Sequence, residues 1–302
     1  MKPHLIHIGL PKCASTFLQK VIFPNIKDVD IYVNSFTERL PKYMDFIYRL
    51  SINYDSFKDQ NREECQLKNE EILQASAGTF KVETSEKRHL ISSEGLVGSV
   101  LNPALCASQL SNFLGRTVPN SRILIVIRNQ KDWMQSIYKQ MFVMRSVGLN
   151  APEFNVIYGS DSSNAFIKYQ ELDWSLITST YSHEFGGKNV FVIPYELLRQ
   201  DPNMFLKILK DWAGVDIDVR KGWMNKIIDP NDLSIKKIIR EFRSNSSLKD
   251  TIQNIRRINH LQKKNTQYIC ENETNILFEE LLEKNKALQN VCTVDLKELG
   301  YF

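Results

Sequence analysis

Short apolar runs alternate along the chain with longer stretches in which apolar positions recur every three or four residues. The runs Leu5 to Ile8, His89 to Ser92, Arg122 to Ile127 and Val190 to Ile193 are brief and rich in β-branched residues, as expected of strands buried on both faces. Helical spacing follows several of them. Trp133, Met134, Ile137, Tyr138 and Met141 keep it after the third run, where Asn129 and Asp132 form an imperfect capping box. A further helix is expected from Pro202 to Ala213, with Gly214 as its stop. Strands alternating with helices predict an α/β fold: a three-layer α/β/α arrangement around a central parallel β-sheet.

Two stretches depart from this alternation. Residues 36–87 are charged and helical in pattern and fall between the first and second expected strands, so they read as an insertion. From Leu233 to the end the chain is expected to be helical, with Ile276, Leu277, Phe278, Leu281, Leu282 and Leu288 forming one apolar packing stripe. There is no internal repeat or low-complexity linker. The chain therefore reads as a single domain over 1–302, with a helical insertion at 36–87 and a helical C-terminal region at 233–302.

Composition adds limits. Hydrophobic residues make up 42% and charged residues 25% of the 302 positions, enough apolar material for a large core. A net charge of +4 from 39 basic and 35 acidic residues is far from that of a nucleic-acid-coating protein, so no nucleic acid partner is expected. The five cysteines, Cys13, Cys65, Cys106, Cys270 and Cys292, show no paired spacing, which fits a reducing compartment. Met1 leads directly into an apolar run, and no stretch approaches about 20 apolar residues, so neither a leader nor a membrane span is expected and the location predicted is cytoplasmic.

The chemistry concentrates at two strand ends. After the first run comes Gly9-Leu10-Pro11-Lys12-Cys13-Ala14-Ser15-Thr16-Phe17, a loop of small residues entering a helix. Backbone N–H groups at such a junction form an anion cradle, to which Lys12 adds a charge and Ser15 and Thr16 add hydroxyl donors. It is not the nucleoside-triphosphate loop, because no Gly-Lys pair precedes Ser15. After the third run stands Arg128, with Ser136 eight residues later on the next helix. An arginine at the carboxyl end of a parallel strand lies in the ligand crevice, and its planar fork suits a phosphate monoester.

Both segments resemble the PAPS-dependent sulfotransferases, of bacterial type, where PAPS is 3′-phosphoadenosine-5′-phosphosulfate. That family reads Pro-Lys-small-small-[Ser/Thr]-[Ser/Thr]-x-Leu in its P-loop-like first strand-loop-helix, and Arg-[Asn/Asp]-Pro-x-[Asp/Glu] followed by Ser-x-[Tyr/Phe] in the second segment. Gln130 replaces the proline, and Cys13 stands where Thr, Ser or Gly is usual. The resemblance implies that Lys12 contacts the bridging oxygen and the sulfuryl group. It implies that the amides of Cys13 to Phe17, with the hydroxyls of Ser15 and Thr16, hold the 5′-phosphate in a loop shaped by Gly9, Pro11 and Ala14, and that Arg128 and Ser136 bind the 3′-phosphate. Arg220-Lys221-Gly222 echoes a further 3′-phosphate tripeptide, an exposed turn being the alternative. Val190 to Leu198, with Tyr195-Glu196, matches a family segment read as support for the sheet.

The activity implied is in-line transfer of a sulfuryl group to a hydroxyl or amine of a carbohydrate or small-molecule acceptor, leaving adenosine 3′,5′-bisphosphate (PAP), with no metal expected. Glu94, in the Ser92-Ser93-Glu94 strand end, is the expected base, with a helix-capping or Arg-pairing carboxylate as the alternative, and His89, more often a packed core histidine, is a second candidate. Aromatics of the insertion, Tyr43, Phe46, Tyr48 and Tyr54, either line an acceptor pocket or pack the insertion. Cys13, beside Lys12 at a helix start, is either an activated thiol or a small residue tolerated there. Homo-oligomerisation is left open. The competing readings are a non-catalytic nucleotide-binding protein of the same fold and an ATP-dependent P-loop kinase.

Overall fold

Five short strands lie side by side in the order β2-β3-β1-β4-β7 and all run parallel. They are β1 (His4–Ile8), β2 (Val29–Val33), β3 (Arg88–Ser93), β4 (Ser121–Ile127) and β7 (Val190–Pro194), while β5 (Tyr158–Gly159) and β6 (Ile167–Lys168) form a separate small pair. The computed structural model describes residues 2–33, 88–97, 103–139, 153–215, 217 and 269–302. The expected insertion, Met141 and residues 233–268 lie outside the described residues.

The four expected strands begin and end within a residue of their expected limits. Apolar runs account for this. Leu5, Ile6, Leu90, Ile91 and Ile123 to Ile127 are buried from both sides, which only a central parallel strand covered on two faces permits. The fifth strand, β2, was not expected. Val29, Ile31 and Val33 alternate with Asp30 and Tyr32 in a half-buried edge strand paired to β3, so the insertion follows β2 rather than β1.

The helices are α1 (Ser15–Phe17), which continues through a π-helical turn at Leu18–Ile22, α2 (Ala107–Thr117), α3 (Gln130–Tyr138), α4 (Phe154–Ile157), α5 (Trp174–Phe185), α6 (Leu197–Gln200), α7 (Pro202–Ala213) and α8 (Glu271–Gln289). They cover the sheet in the expected α/β/α manner. Helix α5 packs on β4, β7, α2 and α8. Helix α7 also lies on β4 and β7, and its Trp212 meets Phe23 at 5.8 Å. Among the described residues no helix is long and apolar enough to cross a membrane.

Local chemistry sets the helix limits. The side chain of Asn129 accepts from the N–H groups of Lys131 and Asp132, capping α3. Asp201 caps α7 through Met204 N–H, and Gly214, at φ +63°, ends it in the left-handed conformation that glycine adopts without strain. Arg122 donates to the carbonyls of Asp211 and Trp212, while the Trp212 indole donates back to the Arg122 carbonyl. Helix α8 buries Thr274, Leu277, Leu281, Asn285 and Leu288. It stops at Gln289 rather than continuing to the end of the chain, because the Gln289 amide donates to Val294 O and accepts from Leu296 N–H, turning the chain back. Tyr301 then enters the core with no exposed surface.

Histidines mark the depth of the sheet. His7 is fully buried, with its Nδ1 2.8 Å from Ser92 Oγ and its ring edge-on to Phe23. Burial disfavours the charged imidazolium and pushes its pKa down to about 3. His4 is lowered too, by burial first and then by His89 and Arg88. A depressed pKa means that the stabilisation is complete above the unfolded value of 6.5 and is lost as pH falls toward 3. Chemical denaturation at pH 7.5 and pH 5 should therefore show a loss of about 2 kcal/mol traceable to His7, and His7→Asn should flatten most of that slope. An unchanged slope in the variant would mean that His7 is not held neutral.

Candidate active site

Parallel strands bring their carboxyl ends to one edge. There β1 opens into the loop at Gly9, β3 runs into Glu94, β4 into Arg128, and β7 into Tyr195 and Glu196. Strand β1 has β3 on one side and β4 on the other. The order of the sheet thus reverses beside β1, which leaves the crevice where open α/β sheets bind ligands.

The first loop is folded against its neighbours. Gly9 N–H donates to Ser93 O and Leu10 N–H to Ile8 O. Lys12 and Ala14 both take left-handed backbone angles, φ +65° and +62°. Left-handed residues of this kind can turn neighbouring N–H groups to one side, as in the nests that hold anions. Each such non-glycine residue costs about 1–2 kcal/mol, so the loop needs outside support. The Trp133 indole donates to Pro11 O at 2.9 Å, and Arg128 Nη1 donates to Lys12 O at 3.3 Å. A Cβ on Gly9 would lie 3.1 Å from Ser15 Oγ and 3.2 and 3.3 Å from the N and Cα of Glu94, so a larger residue here would have to push the loop or the end of β3 aside by a few tenths of an ångström.

Arg128 is half-buried, with its Cζ 4.9 Å from the centre of the Tyr195 ring. Its carbonyl accepts from the Trp174 indole at 2.8 Å, and its Nε is buried with no hydrogen-bond partner among the described residues. Trp133 and Trp174 meet edge to face at 5.2 Å, so one aromatic pair sends an N–H to each half of the site. The next residue, Asn129, gives its backbone N–H to Glu196 Oε1 at 2.9 Å, and Tyr301 donates its hydroxyl to Glu196 Oε2 at 3.0 Å. Burial raises the Glu196 carboxyl above its ordinary range, against the opposing effects of these hydrogen bonds and of Arg128.

The chain can be compared with known proteins on this geometry. No family model and no curated protein matches it. Among solved structures it is similar to a sulfotransferase from Alicyclobacillus acidocaldarius, at 14% identity over 86% of this chain and 96% of that one with a TM-score of 0.39. It is also similar to mouse sulfotransferase SULT7A1 complexed with PAP, at 15% identity over 95% and 88% of the two chains with a TM-score of 0.46. The sulfotransferase domain of the Synechococcus PCC 7002 olefin synthase gives 16% identity over 84% and 94%, with a TM-score of 0.40. All three are sulfotransferases.

The expected residues Gly9, Pro11, Lys12, Ala14, Ser15, Thr16 and Phe17 share the one loop, and Arg128 and Glu94 flank it. Glu94 is exposed, as is Thr16, whereas Ser15 is buried with its hydroxyl donating to Leu10 O at 3.4 Å. Ser136 is half-buried on α3, two turns beyond Arg128. Arg220, Lys221 and the four aromatics of the insertion lie outside the described residues.

Two expectations need correction. His89 opens β3 at the amino edge, stacked on His4 at 5.1 Å. It is separated from Ser93 by roughly 13 Å of strand, too far to serve the crevice. Cys13 is fully buried, and its N–H is already bonded to Leu10 O at 3.2 Å. Burial raises its thiol well above the ordinary value, with Glu196 and Glu94 adding to the rise and Arg128 opposing it. The amide is therefore no donor to the cradle, and the thiol is not activated.

Sequence reasoning missed Trp133 and Trp174 as site supports, and it read Tyr195-Glu196 as sheet structure only. The signal available for the latter was position, since they follow β7 directly as Arg128 follows β4. Native-state alkylation followed by mass spectrometry should label the exposed Cys270 while leaving Cys13 intact until the protein is unfolded. Equal labelling of both would show that the first loop opens.

Proposed function

We propose that this chain is a PAPS-dependent sulfotransferase, transferring a sulfuryl group to a hydroxyl or amine of a carbohydrate or small-molecule acceptor and leaving PAP. The observation that supports this most is the junction of the first loop with Arg128, whose guanidinium reaches the Lys12 carbonyl at 3.3 Å. Two anion-binding features thereby stand side by side. A nucleotide with phosphates at both its 5′ and 3′ positions needs such a pair, whereas a single phosphate does not.

The residues fit that ligand. Arg128 keeps a buried Nε without a partner among the described residues, a donor that a phosphate oxygen would satisfy. Ser136 lies on the helix that starts beside it. The loop around Lys12 and Ala14, and the first N–H groups of α1, which helix geometry leaves without intrahelical acceptors, suit the 5′-phosphate. In the reaction the acceptor oxygen or nitrogen forms a bond to sulfur as the bond from sulfur to the bridging oxygen breaks. Lys12 and the loop N–H groups then face the negative charge that develops on the departing 5′-phosphate. Glu94, exposed at the end of β3 beside Gly9, takes the acceptor proton.

Thermal denaturation with PAP, ADP or ATP and magnesium tests the assignment. PAP at about 100 times its dissociation constant should add about 2.7 kcal/mol, and stronger stabilisation by ATP with magnesium would instead favour a kinase. PAP release from PAPS across a panel of alcohol and amine acceptors then measures turnover. Lys12→Ala should abolish it, and Glu94→Gln should lower kcat by about 10²- to 10⁴-fold with the KM for PAPS retained. Binding of PAP without turnover on any acceptor would point to the non-catalytic reading.

A further inference from the structure

Three consecutive residues after β4 are held by parts of the chain far away in sequence. Arg128 rests on the Tyr195 ring. Asn129 donates its N–H to Glu196 Oε1 and its side-chain amide to the Gly300 carbonyl. Gln130 donates through Nε2 to Asn285 Oδ1 at 2.8 Å. The far partners are themselves joined, since Asn285 Nδ2 donates to Tyr301 O at 2.7 Å and the Tyr301 hydroxyl donates to Glu196 Oε2 at 3.0 Å. The result is a closed circuit through Asn129, Glu196, Tyr301, Asn285 and Gln130.

Most of this circuit lies in the interior, with Glu196 half-buried. Asn129, Gln130, Asn285 and Tyr301 are at most 7% exposed. Buried amides and hydroxyls are costly unless paired, so satisfying each of them permits few alternative arrangements of the turn. Gln130 also stands where the sulfotransferase pattern carries a proline. A proline at the first helical position fixes the backbone through its own ring. Here the Gln130–Asn285 pair ties the same position to α8.

We propose that Glu196 and Tyr301 are positioning residues for Arg128, holding the turn after β4 so that the guanidinium keeps the orientation in which it meets the 3′-phosphate. This rests on the reading of Arg128 given above. Glu196 acts through the Asn129 N–H and Tyr301 acts through Glu196, which makes the returning segment at Gly300 and Tyr301 part of the selectivity for a 3′-phosphorylated nucleotide.

The test is calorimetric binding of PAP and of 5′-AMP, which lacks the 3′-phosphate, to the full chain and its variants. Tyr301→Phe deletes one oxygen and should lower the PAP over 5′-AMP affinity ratio by about tenfold, nearly all of it through weaker PAP binding. Glu196→Ala should lower the ratio at least as far. Glu196→Gln keeps an oxygen for the Asn129 N–H and a polar group for the Tyr301 hydroxyl, and should restore most of it. A purely structural role would lower thermal midpoints, or weaken both nucleotides in proportion, without moving the ratio. An unchanged ratio in Tyr301→Phe and Glu196→Ala, with wild-type preference for PAP intact, overturns the positioning role and leaves the reading of Arg128 standing. Absence of any wild-type preference overturns both. Should Glu196→Ala fail to fold, Tyr301→Phe decides.

Discussion

Two indole N–H groups hold the site together. Trp133 and Trp174 are wholly buried and pack edge to face, and a buried indole needs an acceptor. The acceptors they find are the carbonyls of Pro11 and Arg128, one in each half of the crevice. Leaving either N–H unsatisfied would cost about 1–3 kcal/mol, comparable with the strain stored at Lys12 and Ala14. The donors that Trp133 and Arg128 bring to the Pro11 and Lys12 carbonyls offset that strain.

The direction of the sheet decides what this clamp can serve. With every strand parallel, Gly9, Glu94, Arg128 and Glu196 come to one edge, while His4, Arg88 and His89 come to the other. At the amino edge Arg88 donates to the carbonyls of Pro3 and Ala213, and His89 stacks on His4. Those contacts tie chain ends and helix ends together. At the carboxyl edge Gly9 passes close to the Glu94 backbone, which brings the end of β3 beside the loop.

Electrostatics at the carboxyl edge follow from burial. The Cys13 thiol is surrounded by Arg128, Glu196 and Glu94 yet remains protonated, because desolvation outweighs the arginine. Glu196 is likewise pushed up by burial and drawn back by Asn129, Tyr301 and Arg128. Such opposed effects are tolerable only where hydrogen bonds complete the group. The Asn129 N–H and the Tyr301 hydroxyl supply them to Glu196.

Much of this was written locally in the chain. The four core strands were legible because a strand buried on both faces must be a short run of apolar, β-branched residues, and α3 and α7 because their caps, Asn129, Asp201 and Gly214, act on neighbours a few positions away. The loop from Gly9 to Phe17 and the arginine at Ile127's end were legible for the same reason, since their chemistry lies in consecutive residues. Edge strand β2 was not, because a half-buried strand needs no continuous apolar run. Nor was the pairing of Tyr301 with Glu196, 105 residues apart, or of Asn285 with Gln130, 155 apart. Nothing near any of those residues announces its partner. Solvation was hidden too: Cys13 next to Lys12 suggests an activated thiol until packing removes the water, and His89 suggests a base until strand direction carries it to the wrong edge. Sequence determined the elements and the residues placed at their ends, because propensity and local hydrogen bonding act over a few residues. Tertiary structure alone decided which distant groups meet and which lose their water, because desolvation and long-range pairing exist only once the chain has closed on itself.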